Sequence, residues 1–322
     1  MYMFKYILKR IGLMIVTFCV IFTICFILIK MLPVNMHVGI GEDPMKVQQL
    51  FEERGYNKPV LEQLFIYVKR IVLYGDFGKG TQIYTYKSVW DTFVDKLPPT
   101  VLINVYSSLF AIPIGIAFGI FAALKKNKWQ DHVISTGVMV MISVPSFVYG
   151  SLILYILCFK LKLFPLGILS LEEAGGSWLS WRMFVSMIPA IISMSLGSIA
   201  GYARYTRAEL TEVLTSEFML LARTKGLTKG QATVRHALRN AMVPIFPMIV
   251  GEFISVLSGS LIIERIFAVP GVGNLYLDSI SRQDYDFFML LSAFYLLISL
   301  VAGLVIDLSY GAIDPRIRMG AK

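Results

Sequence analysis

Charged side chains are scarce in this sequence. Lysine, arginine, aspartate and glutamate make up 16% of the 322 residues, against about 25% in an ordinary soluble domain. That shortage argues against a soluble globular protein. Histidine is rarer still: His37, His132 and His236 are scattered, with no HExxH spacing and no nearby cysteine or aspartate ligand set. No metal site is expected from them. The three cysteines, Cys19, Cys25 and Cys158, lie inside or at the edge of apolar runs without a CxxC pair. They read as small packing residues, not as a disulfide framework. No G-x-S-x-G elbow is present either. The glycine-rich "GDFGKGT" at 75–81 has the wrong spacing for a phosphate loop, because Gly75 stands only four residues before Lys79. No catalytic residue and no cofactor of the chain's own are therefore expected.

What is abundant is apolar: 56% of residues are hydrophobic and the mean hydropathy is +0.68. About 20 apolar residues at 1.5 Å each cross ~30 Å of hydrocarbon. Six stretches qualify, near Ile11–Ile29, Val101–Leu124, Val133–Phe159, Phe184–Gly201, Met242–Ile263 and Phe287–Tyr310. The first follows Lys5, Lys9 and Arg10, yet its apolar run is longer than a signal-peptide core and no A-x-A-like site follows. It is read as a retained helix. The expected fold is an all-α membrane protein of six transmembrane helices, a single transmembrane domain over 1–322.

The net charge of +9 fits basic loops kept on the cytoplasmic side and facing anionic lipid, rather than nucleic acid. Lys125, Lys126, Lys128, Arg204, Arg207 and the basic run from Arg223 to Arg239 fall on one side, with Lys5, Arg10, Arg316 and Arg318. The short loops on the other side hold only Lys160, Lys162, Arg182, Arg265 and Arg282. Both termini are expected in the cytoplasm. Segment 31–99, with its turn-rich "GIGEDP", "RGYNKP" and "YGDFGKG", becomes a large extracytoplasmic insertion around an amphipathic helix near Val60–Leu73.

Two carboxylates fall within spans. Asp307 lies near the inner end of the sixth and reads as structural. Glu252, near the middle of the fifth, carries two readings of equal weight: a lining of the translocation path, or an interhelical hydrogen bond. Pro113, Gly115, Gly119, Pro145, Gly150, Gly197 and Gly259 permit close packing and kinks.

The cytoplasmic loop 202–241 has the clearest local signals. Ser216 is placed to cap a helix from Glu217, with Phe218, Leu221 and Ala222 on one face. Gly226 stands where a left-handed residue ends a helix. "TKGQ" at 228–231 fits a capping box opening a second short helix, with Val234, Leu238 and Ala241 as its apolar stripe and Arg235 and Arg239 beside it. Three readings compete. A DNA-binding helix-turn-helix has this outline, but tethering between two spans disfavours it. A passive hairpin on anionic lipid explains the positive charge. A docking element for a cytosolic partner also explains the caps, the turn and the apolar stripe.

The stretch "ARTKGLTKGQATVRHALRNAMVP" (222–244) resembles the cytoplasmic EAA loop of ABC-importer permeases, in the dipeptide/oligopeptide/nickel group. "GYNKP", "GDFG", "LPPT", "ISVPSF" (142–147), "LFPLG" (163–167), "IERIFAVPGVGNL" (263–275), "DY" (284–285) and "DPRIR" (314–318) extend the resemblance along nearly the whole chain. Their order resembles that of the first, OppB-like, membrane subunit. The sequence departs from the pattern in "LPVNM" (32–36), in Gly80, in Leu220 and Leu221, and in His236 and Arg239; Ala222 and Leu238 are kept. The resemblance implies a multi-pass permease of the bacterial plasma membrane that takes up peptide, nickel or another small solute. It also implies a second homologous permease (OppC-like), two cytosolic ATP-binding subunits that bind the ATP, and an extracellular solute-binding protein. A secondary carrier independent of ATP is the alternative outside that class. Residues 216–241 would be the coupling helices, with Ala222, Arg223, Lys225, Gly226, Leu227, Arg235, Leu238 and Arg239 at the ATPase contact. The basic members are equally accounted for by topology retention.

Overall fold

Proline decides where the apolar stretches stay straight. The computed structural model describes residues 2–32, 45, 48, 49, 52 and 54–313. His37, Arg316, Arg318 and the "DPRIR" tail lie outside the described residues, as does nearly all of "LPVNM". The described residues form twelve α-helices: α1 (Tyr2–Lys30), α2 (Val60–Tyr74), α3 (Val89–Leu124), α4 (Trp129–Ser143), α5 (Ser146–Ile153), α6 (Trp181–Leu214), α7 (Glu217–Thr224), α8 (Lys229–Ala232), α9 (Leu238–Ser255), α10 (Leu261–Ile266), α11 (Val272–Ser281) and α12 (Tyr285–Ile313), with π-helical turns at Leu154–Lys160 and Thr233–Ala237. They contain no named strand, only one bridge between Lys79 and Ser88. Five stretches are long and apolar enough to span a bilayer: Ile7–Lys30, Val89–Leu124, Trp181–Leu214, Lys229–Ser255 and Tyr285–Ser309.

The expected continuous span Val133–Phe159 is instead broken. Trp129–Ser143 and Ser146–Lys160 meet at 98°, and count as a sixth span only if the bent pair is taken as one. The cause is local. Val144, held extended at φ −92° and ψ 125° by the following proline, ends α4, and Pro145 caps α5. Pro189, Pro244 and Pro247 lie inside helices that continue. The expected fifth span is also displaced. It begins at Lys229 and stops at Ser255, and the segment to Ile263 turns into the short helix α10, capped by Ser260.

The chain divides into two compact units, residues 1–98 with 270–300 and residues 99–269 with 301–322. In the first, Phe22, Phe26 and Ile29 of α1 pack with Tyr67 of α2 and with Tyr285 and Met289 of α12. A second cluster joins Val89 and Phe93 of α3 to Leu275 of α11 and Phe287, Leu290 and Leu291 of α12. The quoted loop motifs of this unit are structural. Asp76 of "GDFG" takes the Gly78 N–H at 2.8 Å and pairs with Arg70. Asp284 of "DY" accepts the Thr81, Gln82 and Ile83 N–H groups on one oxygen at 2.8–2.9 Å. Burial pushes the Asp284 carboxyl up, and those N–H bonds pull against it. Asp284→Ala would orphan three N–H donors, that of Ile83 buried and those of Thr81 and Gln82 partly so, at about 1–3 kcal/mol for an unsatisfied buried group. Asp284→Asn keeps an acceptor oxygen. The expected outcome is a lowered melting temperature for the alanine variant and a largely preserved one for asparagine, read by thermal unfolding of the purified complex.

In the second unit α3 and α6 approach closely. A Cβ on Gly115 would meet Ile199 O at 2.7 Å, and one on Gly119 would meet Thr206 Cβ at 2.5 Å. Only glycine at this four-residue spacing lets the two backbones touch. The seam is polar as well: Ser107 and Ser195 hydroxyls lie 3.1 Å apart.

Candidate coupling site

Helix α7 ends in a paired backbone lock. The Gly226 N–H donates to the Arg223 carbonyl at 3.0 Å and the Leu227 N–H reaches back to the Ala222 carbonyl at 3.4 Å. This pattern needs a left-handed residue at the turn, and Gly226 supplies it at φ +88°. Two residues later the expected capping box is present: Gln231 N–H donates to Thr228 Oγ1 at 3.3 Å, and Thr228 N–H to Gln231 Oε1 at 3.1 Å. Ser216 has N-cap backbone angles, but its hydroxyl does not cap. It donates instead to the Val213 carbonyl at 2.6 Å.

The second element is not a separate short helix. It runs through one widened turn, Thr233–Ala237, into α9 without a break. A π-turn adds a residue and rotates the phase of everything before it. The buried positions are accordingly Ala232, Thr233, Ala237 and Ala241, while Val234, placed in the stripe by a regular 3.6 period, is exposed. On α7 the buried residues are Met219 and Ala222, so Phe218 and Leu221 face outward, apart from the Ala222 with which their spacing groups them.

These buried residues form one cluster with Ala123 of α3 and Leu210 of α6, joined by half-buried Leu227 and Leu238. The turn is thereby fastened to the ends of two long helices. The pattern is alanine-rich because small side chains let α7 and α8 lie close to α3 and α6. Of the eight residues read as contact candidates, Arg223, Lys225, Gly226, Arg235 and Arg239 are exposed. Leu227 and Leu238 share the internal cluster with the outer surface, and Ala222 is buried in it. Ala222 is thus an internal packing residue. Phe218 and Leu221, two members of the face read from the sequence, are exposed apolar side chains, and Leu220, which that face did not include, is exposed beside them.

Two other polar groups define the unit. Glu252 of α9 accepts the Ser198 hydroxyl of α6 at 3.0 Å and the Ser108 hydroxyl of α3 at 3.4 Å. The interhelical hydrogen bond is present, and the carboxylate remains half-buried. Asp131, at the first turn of α4, is buried and takes both Arg207 nitrogens, one at 2.8 Å, with the Asn127 N–H at 2.9 Å and the Ser135 hydroxyl at 3.2 Å. Arg207 was counted only as a topology charge, and Asp131 was not singled out, because their pairing spans 76 residues and leaves no local trace.

A bundle of apolar helices holding a rigid, basic, partly apolar turn is the outline of a membrane transport component. The comparison with known proteins agrees with it. Residues 115–319 match the family described as binding-protein-dependent transport system inner membrane component, and residues 3–104 match the N-terminal part described for such membrane components. The chain is 34% identical over 317 residues to a dipeptide transport system permease protein, DppB, of Lactococcus lactis, covering 98% of this chain and all of the relative. The DppB of Bacillus subtilis is 31% identical, with 99% of this chain and all of the relative covered. An oligopeptide transport system permease protein, OppB, of Salmonella typhimurium is 30% identical, over 98% of this chain and all of the relative. The chain belongs to the family of binding-protein-dependent transport system inner membrane components. It is a multi-pass permease of the bacterial inner membrane.

Proposed function

We propose that the chain imports dipeptides or oligopeptides as one of two membrane subunits of an ABC importer. A second, OppC-like permease completes the bundle, two cytosolic subunits bind and hydrolyse ATP, and an extracellular solute-binding protein delivers the substrate. In this reading the chain is a single transmembrane domain crossing the membrane six times, the bent pair α4–α5 being the third crossing, with both termini cytoplasmic. Segment 31–99 receives the binding protein. The loop 216–241 meets the ATPase subunits through Arg223, Lys225, Gly226, Arg235, Arg239, Leu227 and Leu238, and through Phe218, Leu220 and Leu221.

The observation that carries this reading is the two-faced hairpin. One face is anchored to α3 and α6; the other leaves Leu220 and Leu221 61% and 57% exposed beside a basic turn. An apolar ridge in water is a liability unless a partner covers it. Because the anchored face shares a buried cluster with Ala123 of α3 and Leu210 of α6, displacement of the ridge moves the ends of two spanning helices with it. The ATPase must make different contacts in its two states, since equal contacts shift no equilibrium.

The test is uptake by proteoliposomes holding the complete complex and binding protein. Labelled peptide should enter only with ATP inside the nucleotide-binding compartment. Uptake driven by an ion gradient without ATP would assign the chain to secondary carriers, and uptake of nickel in place of peptide would overturn the substrate class. Glu252 is proposed to line the path. Interhelical hydrogen bonds in membranes contribute about 0.6 kcal/mol on average, so Glu252→Gln should leave thermal stability nearly unchanged and lower the peptide uptake rate. Full uptake by that variant would confine Glu252 to packing.

A further inference from the structure

The helix α2 carries an apolar surface that the transport reading does not use. Leu61, Phe65, Val68 and Val72 fall at i, i+4, i+7 and i+11 and are all exposed, Phe65 at 68% and Val72 at 74%. On a helix this spacing gathers the four within one narrow stripe. Glu62 and Lys69 flank it on one side. The buried residues Gln63 and Tyr67 lie on a different face, so the stripe is not the one that packs on the rest of the unit.

The position of that packed face sets the height of the helix. Tyr67 stacks with Phe22 at 6.2 Å and lies 5.8 Å from Phe26, ring centre to ring centre. Both phenylalanines belong to the spanning stretch Ile7–Lys30. Phe22 stands eight residues before Lys30, or about 12 Å along the helix axis. A helix of this length exceeds the ~30 Å hydrocarbon layer by only a few ångströms at each end. Tyr67 therefore meets α1 below the lipid boundary and not above it.

The chain on both sides of α2 returns to that level. Tyr56, before the helix, holds the Lys30 ammonium 3.6 Å from its ring centre, and Tyr285 lies on the same ammonium at 4.3 Å. Arg54 pairs with Asp286 in the first turn of α12, and also donates to the Lys79 carbonyl, beyond the end of α2, at 3.0 Å. The start and end of the segment are thus tied together where α1 ends and α12 begins. Ile24 and Leu28 of α1, within two residues of the Tyr67 contacts at Phe22 and Phe26, are exposed as well.

We infer that α2 is an interfacial helix: its Leu61–Phe65–Val68–Val72 stripe is inserted into the bilayer beside α1, with Lys69 at headgroup level. An amphipathic helix of this kind sits about 5–10 Å into the boundary between headgroups and acyl chains, which matches the depth set by Phe22 and Phe26. The lysine stem can lie along the apolar stripe while its ammonium reaches phosphate. The segment around α2 is then held against the membrane surface, and its opposite side is the one presented to water.

The inference is tested with nitroxide labels placed singly at Leu61, Phe65, Val68, Val72, Glu62 and Lys69. The chain carries Cys19→Ala, Cys25→Ala and Cys158→Ala and is assembled with its partner subunits in lipid nanodiscs. Accessibility to oxygen and to a water-soluble nickel chelate reports depth. The expected result is that the four stripe positions are open to oxygen and closed to nickel, at about 5–10 Å depth, with Glu62 and Lys69 shallower. Higher nickel than oxygen accessibility at Phe65 and Val72 would place the stripe in water and overturn the inference. Low accessibility to both would show a protein cover, the binding protein or a second subunit, and overturn it equally. All sites are exposed, so labelling does not disturb the core, and the outcome does not depend on whether peptide is the substrate.

Discussion

Gly226→Val is expected to lower ATP-coupled uptake at least about tenfold while the chain still inserts and assembles. No atom lies within 4 Å of a Cβ added at Gly226, so the cost is conformational and not steric crowding by neighbours. At φ +88° an L-residue is strained by roughly 1–2 kcal/mol, and a β-branched one by more. About 1.4 kcal/mol is a tenfold change in an equilibrium. That suffices to depopulate the locked turn between α7 and α8 without unfolding a bundle whose other contacts are intact. Ridge and basic turn then lose their fixed relation to Ala123 and Leu210. ATP hydrolysis by the assembled complex should continue while labelled peptide uptake falls at least about tenfold. Gly226→Asn should retain most of the uptake, because asparagine tolerates the left-handed region. Normal uptake by the valine variant would contradict the role assigned to the turn.

The second large effect is expected at Asp131. Its carboxylate is 2% exposed and binds an arginine that is 33% exposed, so the buried partner is the acid. The arginine left behind reaches water, so removing the acid costs less than the ~3–5 kcal/mol of a fully buried pair. Asp131→Ala also releases the Asn127 N–H and the Ser135 hydroxyl, and it loosens the fit of α4 on α6. Less protein in the membrane and a clearly lower melting temperature are expected. The double variant Asp131→Ala/Arg207→Met should recover little of that loss, since the arginine is one-third exposed and the bonds from Asn127 and Ser135 are lost in both. Recovery of stability in the double variant would show that the unpaired arginine, and not the lost bonds of the acid, sets the cost.

What was legible in advance was local. The capping box at Thr228, the left-handed turn at Gly226 and the helix at Val60–Tyr74 each depend on residues within one or two turns. Hydropathy placed most apolar stretches for the same reason. The failures have equally definite causes. Pro145 sits in a stretch as apolar as its neighbours, and hydropathy does not register a 98° bend. The widened turn at Thr233–Ala237 shifts the helical phase, so the single stripe that a regular period draws through Val234, Leu238 and Ala241 is split, with Ala237 and Ala241 buried and Val234 exposed. The i, i+3, i+4 spacing groups Phe218 and Leu221 with Ala222, whereas close packing on α3 and α6 takes in Met219 and Ala222 and leaves the two large side chains outside. Pairings across the chain, such as Asp131 with Arg207 or Ser198 with Glu252, have no periodic signature.

The most direct test of the account is cross-linking from the hairpin ridge. With Cys19, Cys25 and Cys158 replaced, a single cysteine at Leu220 or Leu221 in the assembled complex carries a short photoactivatable cross-linker. The reaction is run without nucleotide and with ATP trapped. The account predicts covalent capture of an ATP-binding subunit, with a yield that differs between the two states. Absence of any captured protein in both states would leave the apolar ridge facing water or lipid throughout the cycle, and would contradict the coupling role.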